Sequence, residues 1–524
     1  MSVDARLKTL KAGLIVALVA VSALPFLPGL KAPFFYDDHN TVLMNPAIKT
    51  PHYLDYFYKL ETFSADQARM FRPLVISSLA LNWQLSGADP LGWHLINLCA
   101  HLLCVAMVFL LIDALSGSAL LAFLAALFFG IHPSRVEPVL YISARAEIFA
   151  SFFYLLSFWL FVRTGQAAKK SAWIALGFFS LLGFWLGLLS KDIAITLPAV
   201  LTLERLVFKK LDRRSIYLLA AFWLSATAYF LVRRSLSLDT FFPPARPRPV
   251  LENLLLQPRV ILYYLRFLVF PLHPVVDLQV SPVPVWQSVA SAVLLAAIAI
   301  AGILLVRKKP LPAFFIFFIF IVLSPSSSVV PLVVEGNVNR VYMAGIAVFL
   351  VFGELLALVW RRNRMITISL AFLIFMCLFA LSASWAGSWQ SPVRLWRQTV
   401  KNFPGHSRGR NNLGLLLERS GNYAQAEREY QISISVDPEN ASALDNYARV
   451  LSGRGEFKSA EILFRKALFL SPASCIVHIN YSSLLIEAGR VEEAKGLLDE
   501  VTFCPDYADE LAKQKNRVNA RIIP

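Results

Sequence analysis

Stretches of roughly 15 to 25 mostly apolar residues recur eleven times along this chain, each near the length that crosses the hydrocarbon core of a bilayer. They begin near residues 11, 93, 118, 141, 172, 193, 215, 285, 311, 340 and 365. Lipid offers the backbone no hydrogen-bond partners, so such runs fold as helices that satisfy their own amides. Composition agrees: 57% of residues are hydrophobic and 16% charged, with a mean hydropathy of +0.58. Soluble globular domains do not look like this, so the expected class is an all-α polytopic membrane helix bundle.

Charge is distributed unevenly. Residues 400–524 are balanced at 16 basic against 16 acidic side chains, so the net +16 belongs to residues 1–399. The positive-inside rule assigns Arg6, Lys8 and Lys11, Lys169-Lys170, Lys209-Lys210 with Arg213-Arg214, Arg307-Lys308-Lys309, and Arg361-Arg362 with Arg364 to the cytoplasmic side. The basic N-terminus followed by an apolar run has the look of a signal peptide. We read it as an uncleaved first span, because a pair of aspartates follows directly and needs an anchor. Residues 257–275 disturb the alternation and are expected to form a re-entrant or interfacial helix pair. Nucleic acid is excluded as a partner, since the basic residues are interrupted by lipid-length apolar runs. Of five cysteines, Cys99, Cys104 and Cys377 lie in apolar stretches; Cys475 and Cys504 could pair in an oxidising compartment.

The opposite set of loops collects acids and arginines that the positive-inside rule leaves unexplained. Phe34-Phe35-Tyr36-Asp37-Asp38-His39-Asn40 follows the first span. A carboxylate pair there is costly unless it meets water, a cation or a substrate. It is either an exposed capping pair or a base, one aspartate taking a hydroxyl proton while the other tunes its neighbour's pKa. Arg72, in Phe71-Arg72-Pro73, suits either snorkelling to headgroups or a bidentate grip on phosphate. His132, Glu137, Arg145 and Glu147 fall within sixteen residues at one membrane edge and read as a site. Lys191-Asp192 and Asn339-Arg340-Val341-Tyr342 serve equally as interfacial anchors or as site residues. Arg233-Arg234 and the Pro-Arg run at 244–249 suit anionic headgroups.

The C-terminal part repeats with a period of 34. Gly421, Gly455 and Gly489 recur at that spacing, as do Ala426, Ala460 and Ala494, Tyr430 and Phe464, and Pro438 and Pro472. This is a tetratricopeptide signature, with small residues letting paired helices approach and prolines ending each second helix. Three repeats and a last helix at about 506–520 are expected. The domains are then a membrane body, residues 1–399, and a repeat α-solenoid, residues 400–524.

Taken in order, these landmarks resemble the transmembrane and tetratricopeptide-repeat-containing O-mannosyltransferases and their bacterial relatives, over nearly the whole chain. That family's Asp-Asp pair is matched by Asp37 and Asp38. Its Arg-Pro-Leu is matched by Arg72-Pro73-Leu74. Its His-Pro…Glu-Ala-Val is matched by His132-Pro133…Glu137-Pro138-Val139, and its Gly-Arg-Ala-Asp by the stretch from Ser143 to Glu147. Lys191-Asp192 stands where the family has Lys-Glu, and Asn339-Arg340-Val341-Tyr342 where it has Glu-Arg-Val-Leu-Tyr. Glu147, Asp192 and Asn339 depart from the pattern, and the repeat array is shorter than in eukaryotic members.

The resemblance implies a GT-C glycosyltransferase architecture. It also implies a polyprenyl- or dolichyl-phosphate sugar as lipid donor, mannose or another hexose as the group moved, and a hydroxyl acceptor, Ser or Thr of an exported protein. On that reading Asp37 and Asp38 are catalytic, and Arg72, Arg145, Lys191 and Arg340 bind the donor phosphate as charge develops. His132, Glu137 and Glu147 support the site. No obligatory metal or other cofactor is expected. An attack opposite the leaving group inverts the anomeric centre, and the repeats present the protein or peptide acceptor. The expected location is a bacterial inner membrane with site and repeats facing the periplasm, the alternative being the lumenal face of the endoplasmic reticulum membrane. The competing function is a non-catalytic membrane scaffold that assembles an envelope complex through its repeats. A transporter is disfavoured, because the charges sit at span ends and no inverted repeat is visible.

Overall fold

The computed structural model describes residues 3–64, 70–235, 249–280, 284–327, 331–332, 334–501 and 507–522. Among these, the regular structure is helical apart from one isolated antiparallel bridge, Leu278 to Gly336. The chain divides into two compact units, Met1–Gln390 and Ser391–Pro524. Helix Pro392–Asn402, capped by the Ser391 side chain accepting from Arg394 N, falls in the second unit.

Eight helices of the first unit are long and apolar enough to cross a bilayer: Thr9–Gly29, Pro90–Ser116, Ile142–Thr164, Lys170–Leu188, Arg213–Ser235, Val285–Leu305, Val338–Trp360 and Arg364–Ser388. The protein is thus a multi-pass membrane protein. The other three expected spans are shorter. The third is a broken pair, Ala119–Ile131 and Pro133–Leu140, bent by 59°. Pro133 has no amide hydrogen and His132 is extended, so the helix stops there and restarts in a new direction. Leu197–Val207 has 11 residues and Pro310–Leu323 has 14. At 1.5 Å per residue the longer of these covers about 21 Å, short of the ~30 Å apolar core.

Residues 257–275 also differ from expectation. They belong to one helix, Val250–Val269, which carries Pro258 inside it, and to an extended stretch that leads to the Leu278–Gly336 bridge. Glu252, Arg259 and Arg266 keep this helix from being a uniformly apolar span. Arg246 and Arg248 lie outside the described residues.

After helix Pro392–Asn402, the described part of the second unit holds three helix pairs and a last helix. The pairs are Ser407–Arg419 with Tyr423–Val436, Ala441–Gly453 with Phe457–Leu470, and Cys475–Glu487 with Val491–Asp499; Ala508–Ile522 follows. The period of 34 has two physical origins. Ala426, Ala460 and Ala494 are fully buried, where a larger side chain would push paired helices apart. Gly421, Gly455 and Gly489 are different. A Cβ at any of them would meet open space, but their φ values are +78°, +81° and +78°. They are there for the left-handed turn and not for close approach. Cys475 is disulfide-bonded, while Cys99, Cys104 and Cys377 are free. The expected partner, Cys504, lies outside the described residues.

Close approach is instead made by Gly414, where a Cβ would lie 2.6 Å from the ring of fully buried Tyr430. Gly414→Ala is therefore expected to destabilise the repeat unit by about 1–3 kcal/mol, the usual cost of overpacking. Thermal unfolding of the full chain in detergent, followed by protease sensitivity of the repeats, checks this; an unchanged midpoint would contradict the packing.

Candidate active site

The first turn of the Ile142–Thr164 segment organises the polar face of the membrane unit. Three of its residues, Ser143, Arg145 and Glu147, each hold a different loop. Ser143 lies in the short 3-10 turn Ile142–Ala144 that leads into the helix, and Arg145 and Glu147 lie at the helix start.

Ser143 holds the aspartate corner. Tyr36 takes φ +50°, an uncommon conformation for a residue with a Cβ, and turns the chain into the aspartate pair, whose successive side chains point to different surroundings. Asp38 points inward and is fully buried; Asp37 is exposed. Asp38 Oδ2 accepts from Phe35 N at 3.0 Å, and Oδ1 contacts Ser143 N at 2.8 Å and Ser143 Oγ at 2.6 Å. Burial pushes the Asp38 carboxyl up to about 7, against the pull of these contacts. Asp37 N donates to the Tyr141 hydroxyl at 3.3 Å, and that hydroxyl is also a partner of the Asp37 side chain. Phe35, Tyr141 and Trp389 pack edge-on or tilted around the corner, with ring centroids 5.4 to 6.1 Å apart.

Arg145 is turned the other way. It is fully buried, and its three nitrogens are engaged by protein. Nε donates to Asn97 Oδ1 at 2.7 Å; Nη1 to Ser78 O at 3.3 Å and Ser78 Oγ at 3.5 Å; Nη2 to Asn82 Oδ1 at 2.6 Å and Trp93 O at 3.3 Å. The guanidinium also stacks over Trp93, 5.5 Å from its centroid. The expectation that Arg145 grips a phosphate is corrected here: its five hydrogens are spent on tying the tip to helices Pro73–Ser86 and Pro90–Ser116.

Glu147, also buried, pairs with Lys191. Lys191 keeps 27% of its side chain exposed, and burial lowers its pKa from the ordinary value, Glu147 opposing that effect. Arg72 joins this corner. Its guanidinium lies 5.3 Å from the Phe63 centroid and feels Asp192 and Glu147 electrostatically. Among the described residues it makes no side-chain hydrogen bond, which leaves a guanidinium fork unspent. Asp192 is held by Arg233, whose cation lies over Phe71 and Tyr229, while the Tyr229 hydroxyl donates to Leu188 O at 3.1 Å. The reading of Arg233 as a headgroup anchor is thereby corrected; it is buried and builds the site wall.

The remaining candidates form a roof. Arg340 donates to Val334 O at 3.0 Å, Ser326 O at 3.2 Å and Glu335 O at 3.3 Å, and lies close enough to Lys191 to repel it. Its donors hold a loop, so phosphate binding is not its first role in this geometry. Glu137 is buried close to the Asn337 and Asn339 side chains and to Asp277. Buried His132 caps the restart of its helix: Nδ1 contacts Ser134 Oγ at 2.7 Å and accepts from Ser134 N at 3.1 Å. Arg135 is fully buried over Phe129 and Tyr342 and donates to the carbonyls of Val341 and Tyr342.

The sequence reading missed Ser143, Tyr141, Asn82 and Asn97. Uncharged residues inside or beside apolar runs carry little signal of their own. Only Ser143, within the Ser143-to-Glu147 motif, was within reach. Among the described residues no group of three or more His, Cys, Asp or Glu is arranged to hold a metal ion.

Comparison with known proteins bears out the resemblance drawn from the motifs. The chain is similar to a protein O-mannosyl-transferase of Caenorhabditis elegans, 24% identical over 80% of this chain and 62% of that protein. It is similar to protein O-mannosyl-transferase TMTC2 of Mus musculus, 32% identical over 28% of this chain and 19% of that protein, and to its Homo sapiens counterpart at 31% over the same shares. The chain thus matches less than two thirds of the length of these relatives. The tetratricopeptide repeat family matches residues 379–430 and 411–474. Among solved structures, ArnT from Cupriavidus metallidurans bound to undecaprenyl phosphate aligns with 98% of this chain and 89% of its own, at 13% identity and a TM-score of 0.38.

If Arg145 is a structural tie, Arg145→Lys, which keeps the charge but not the fork, should cost about 2–4 kcal/mol by stranding buried amide oxygens. Detergent thermostability measures this; a variant as stable as the parent would return Arg145 to the phosphate-binding role.

Proposed function

We propose that this chain is a membrane glycosyltransferase that moves a hexose, mannose being the reading the relatives favour, from a polyprenyl-phosphate donor to a protein hydroxyl with inversion. The observation that carries the proposal is that one segment, Ile142–Thr164, holds the corner of the exposed Asp37 through Ser143 on Asp38 and holds Lys191 through Glu147, with Arg72 within electrostatic reach of Glu147. One side suits a base and the other a departing anion. A GT-C architecture, implied by the family resemblance, is part of the same reading.

The acceptor hydroxyl gives its proton to Asp37 as its oxygen bonds to the anomeric carbon. The bond from that carbon to the phosphate oxygen breaks on the opposite face, through a centre of oxocarbenium character. The electron pair leaves with the lipid phosphate, which Arg72 and Lys191 neutralise. Glu147 keeps Lys191 charged until the phosphate arrives, and the Asp192–Arg233 pair holds the wall beside it. A lipid monophosphate carries less charge than a diphosphate, and side-chain cations suffice for it, so an obligatory metal is not part of the proposal.

The site residues lie at one end of helices whose other ends carry the basic clusters. Arg145 and Glu147 are opposite Lys169-Lys170, Arg233 is opposite Arg213-Arg214, and Arg340 is opposite Arg361-Arg362. The positive-inside rule then directs the site away from the cytoplasm. We infer that the repeats face the same compartment, the periplasm of a bacterial inner membrane or otherwise the lumen of the endoplasmic reticulum, and hold the acceptor protein near the site. The disulfide at Cys475 supports an oxidising side.

Asp37→Asn should reduce transfer by roughly 10²–10⁴-fold, the usual contribution of a general base. Arg72→Ala should raise KM for the lipid donor and lower kcat, and a chelator should leave turnover unchanged. Mass spectrometry of exported proteins from cells with the parent or Asp37→Asn chain provides the direct check. Identical glycan masses in both would remove the transferase reading.

A further inference from the structure

Three short contacts beside Asp38 have two hydroxyl protons between them, those of Thr41 and Ser143. Thr41 Oγ1 lies 2.8 Å from Asp37 O and 2.7 Å from Ser143 Oγ, and Ser143 Oγ lies 2.6 Å from Asp38 Oδ1. Asp37 O, which also accepts from Thr41 N at 2.8 Å, can only accept, so a hydrogen in its contact with Thr41 Oγ1 is the Thr41 proton. The Thr41–Ser143 contact must then use the Ser143 proton. Nothing remains for the Ser143–Asp38 contact except a proton on the carboxyl itself. With Asp38 ionised, one of the three links has no hydrogen and two oxygens face each other at 2.6 to 2.8 Å. With Asp38 protonated on Oδ1 all three are made, and that oxygen keeps a lone pair for Ser143 N at 2.8 Å.

We propose that Asp38 is a proton-holding positioning residue: its neutral carboxyl donates to Ser143, Ser143 to Thr41, and Thr41 to the Asp37 carbonyl. The proposal rests on the transferase reading for its purpose, because Asp37 then stands as the single anion of the pair. Two adjacent carboxylates resist double ionisation, and assigning the proton to the buried partner leaves the exposed one ionised, the form a base needs. The charged and titratable groups that face Asp38 are Asp37, Tyr141 and Arg145. Asp37 disfavours its ionisation, while Arg145, whose hydrogens are spent on two other helices, makes no hydrogen bond to it. Burial acts in the same direction as the proton inventory, pushing this carboxyl up to about 7. No proton moves along the chain during transfer; it sets where Asp37 sits and what charge it carries.

The sign follows directly. A carboxyl raised on folding stabilises the folded chain below its ordinary range, and that contribution is lost as pH rises through about 7.

Infrared difference spectroscopy of the full chain in nanodiscs tests the proposal without relying on activity. The parent minus Asp38→Asn difference at pH 6 should contain a protonated-carboxyl carbonyl band that shifts in D2O and is lost on titration through pH 7 to 8; Asp37→Asn should retain it. A difference containing only ionised carboxylate bands at pH 6 would overturn the proposal. Should Asp38→Asn fail to fold, Ser143→Ala decides. Removing the acceptor of a carboxyl proton moves the band's midpoint to lower pH, as proposed, whereas removing a donor to a carboxylate moves it to higher pH and refutes it. A chain that shows the band but transfers no sugar would end the functional reading alone.

Discussion

A guanidinium buried without a carboxylate partner is among the costlier things a membrane protein can hold, and this fold is arranged around one. Arg145 survives at zero exposure because five acceptors on two neighbouring helices and one aromatic face surround it. Those same bonds fix the direction in which the Ile142–Thr164 helix begins. Ser143 and Glu147, two residues to either side, inherit their positions from it. The aspartate corner and the cation corner are therefore held at a set separation by a structural arginine that touches neither.

Division of labour by burial recurs through the site. Within each close pair, one member is sunk into the protein and the other meets the solvent. Asp38 is buried and Asp37 exposed; Glu147 is buried and Lys191 partly open; Arg233 is buried and Asp192 is 36% exposed. The buried member costs desolvation and gains hydrogen bonds, so it is rigid. The exposed member keeps its capacity to interact with something that arrives. Arg72 fits this pattern differently: among the described residues it has aromatic and electrostatic neighbours but no hydrogen-bond acceptor for its fork of donors.

Much of the fold was legible because its determinants are local or periodic. Apolar runs of bilayer length report themselves, and a spacing of 34 between Gly421, Gly455 and Gly489 admits few architectures. The reason for those glycines was harder to read. A small residue suits both close packing and a left-handed turn, and only φ separates the two. The bend at His132-Pro133 was likewise readable as a proline effect, yet its extent was not, because the restarted helix takes its direction from Ser134 capping and from Arg135 packing over Phe129 and Tyr342. Residues 257–275 were misjudged as a pair for want of any sequence signal that Pro258 would be tolerated inside one helix.

From its sequence alone the chain declared its solvent, its repeat architecture, and the set of polar residues gathered at one edge of the spans. Those follow from hydropathy and from periodicity, which are properties of residue order. What each polar residue does was decided only when helices distant in sequence met. Arg145 and Arg72 are the same side chain at similar span ends. One found Asn82 and Asn97 and became structure, while the other found Phe63 and kept its donors. Asp37 and Asp38 are chemically identical adjacent residues in the turn after Tyr36, yet one is buried on Ser143 and the other is exposed beside Tyr141. Hydrogen-bond partners more than forty residues apart cannot be read from spacing, and in a low-dielectric interior those partners determine charge, orientation and availability.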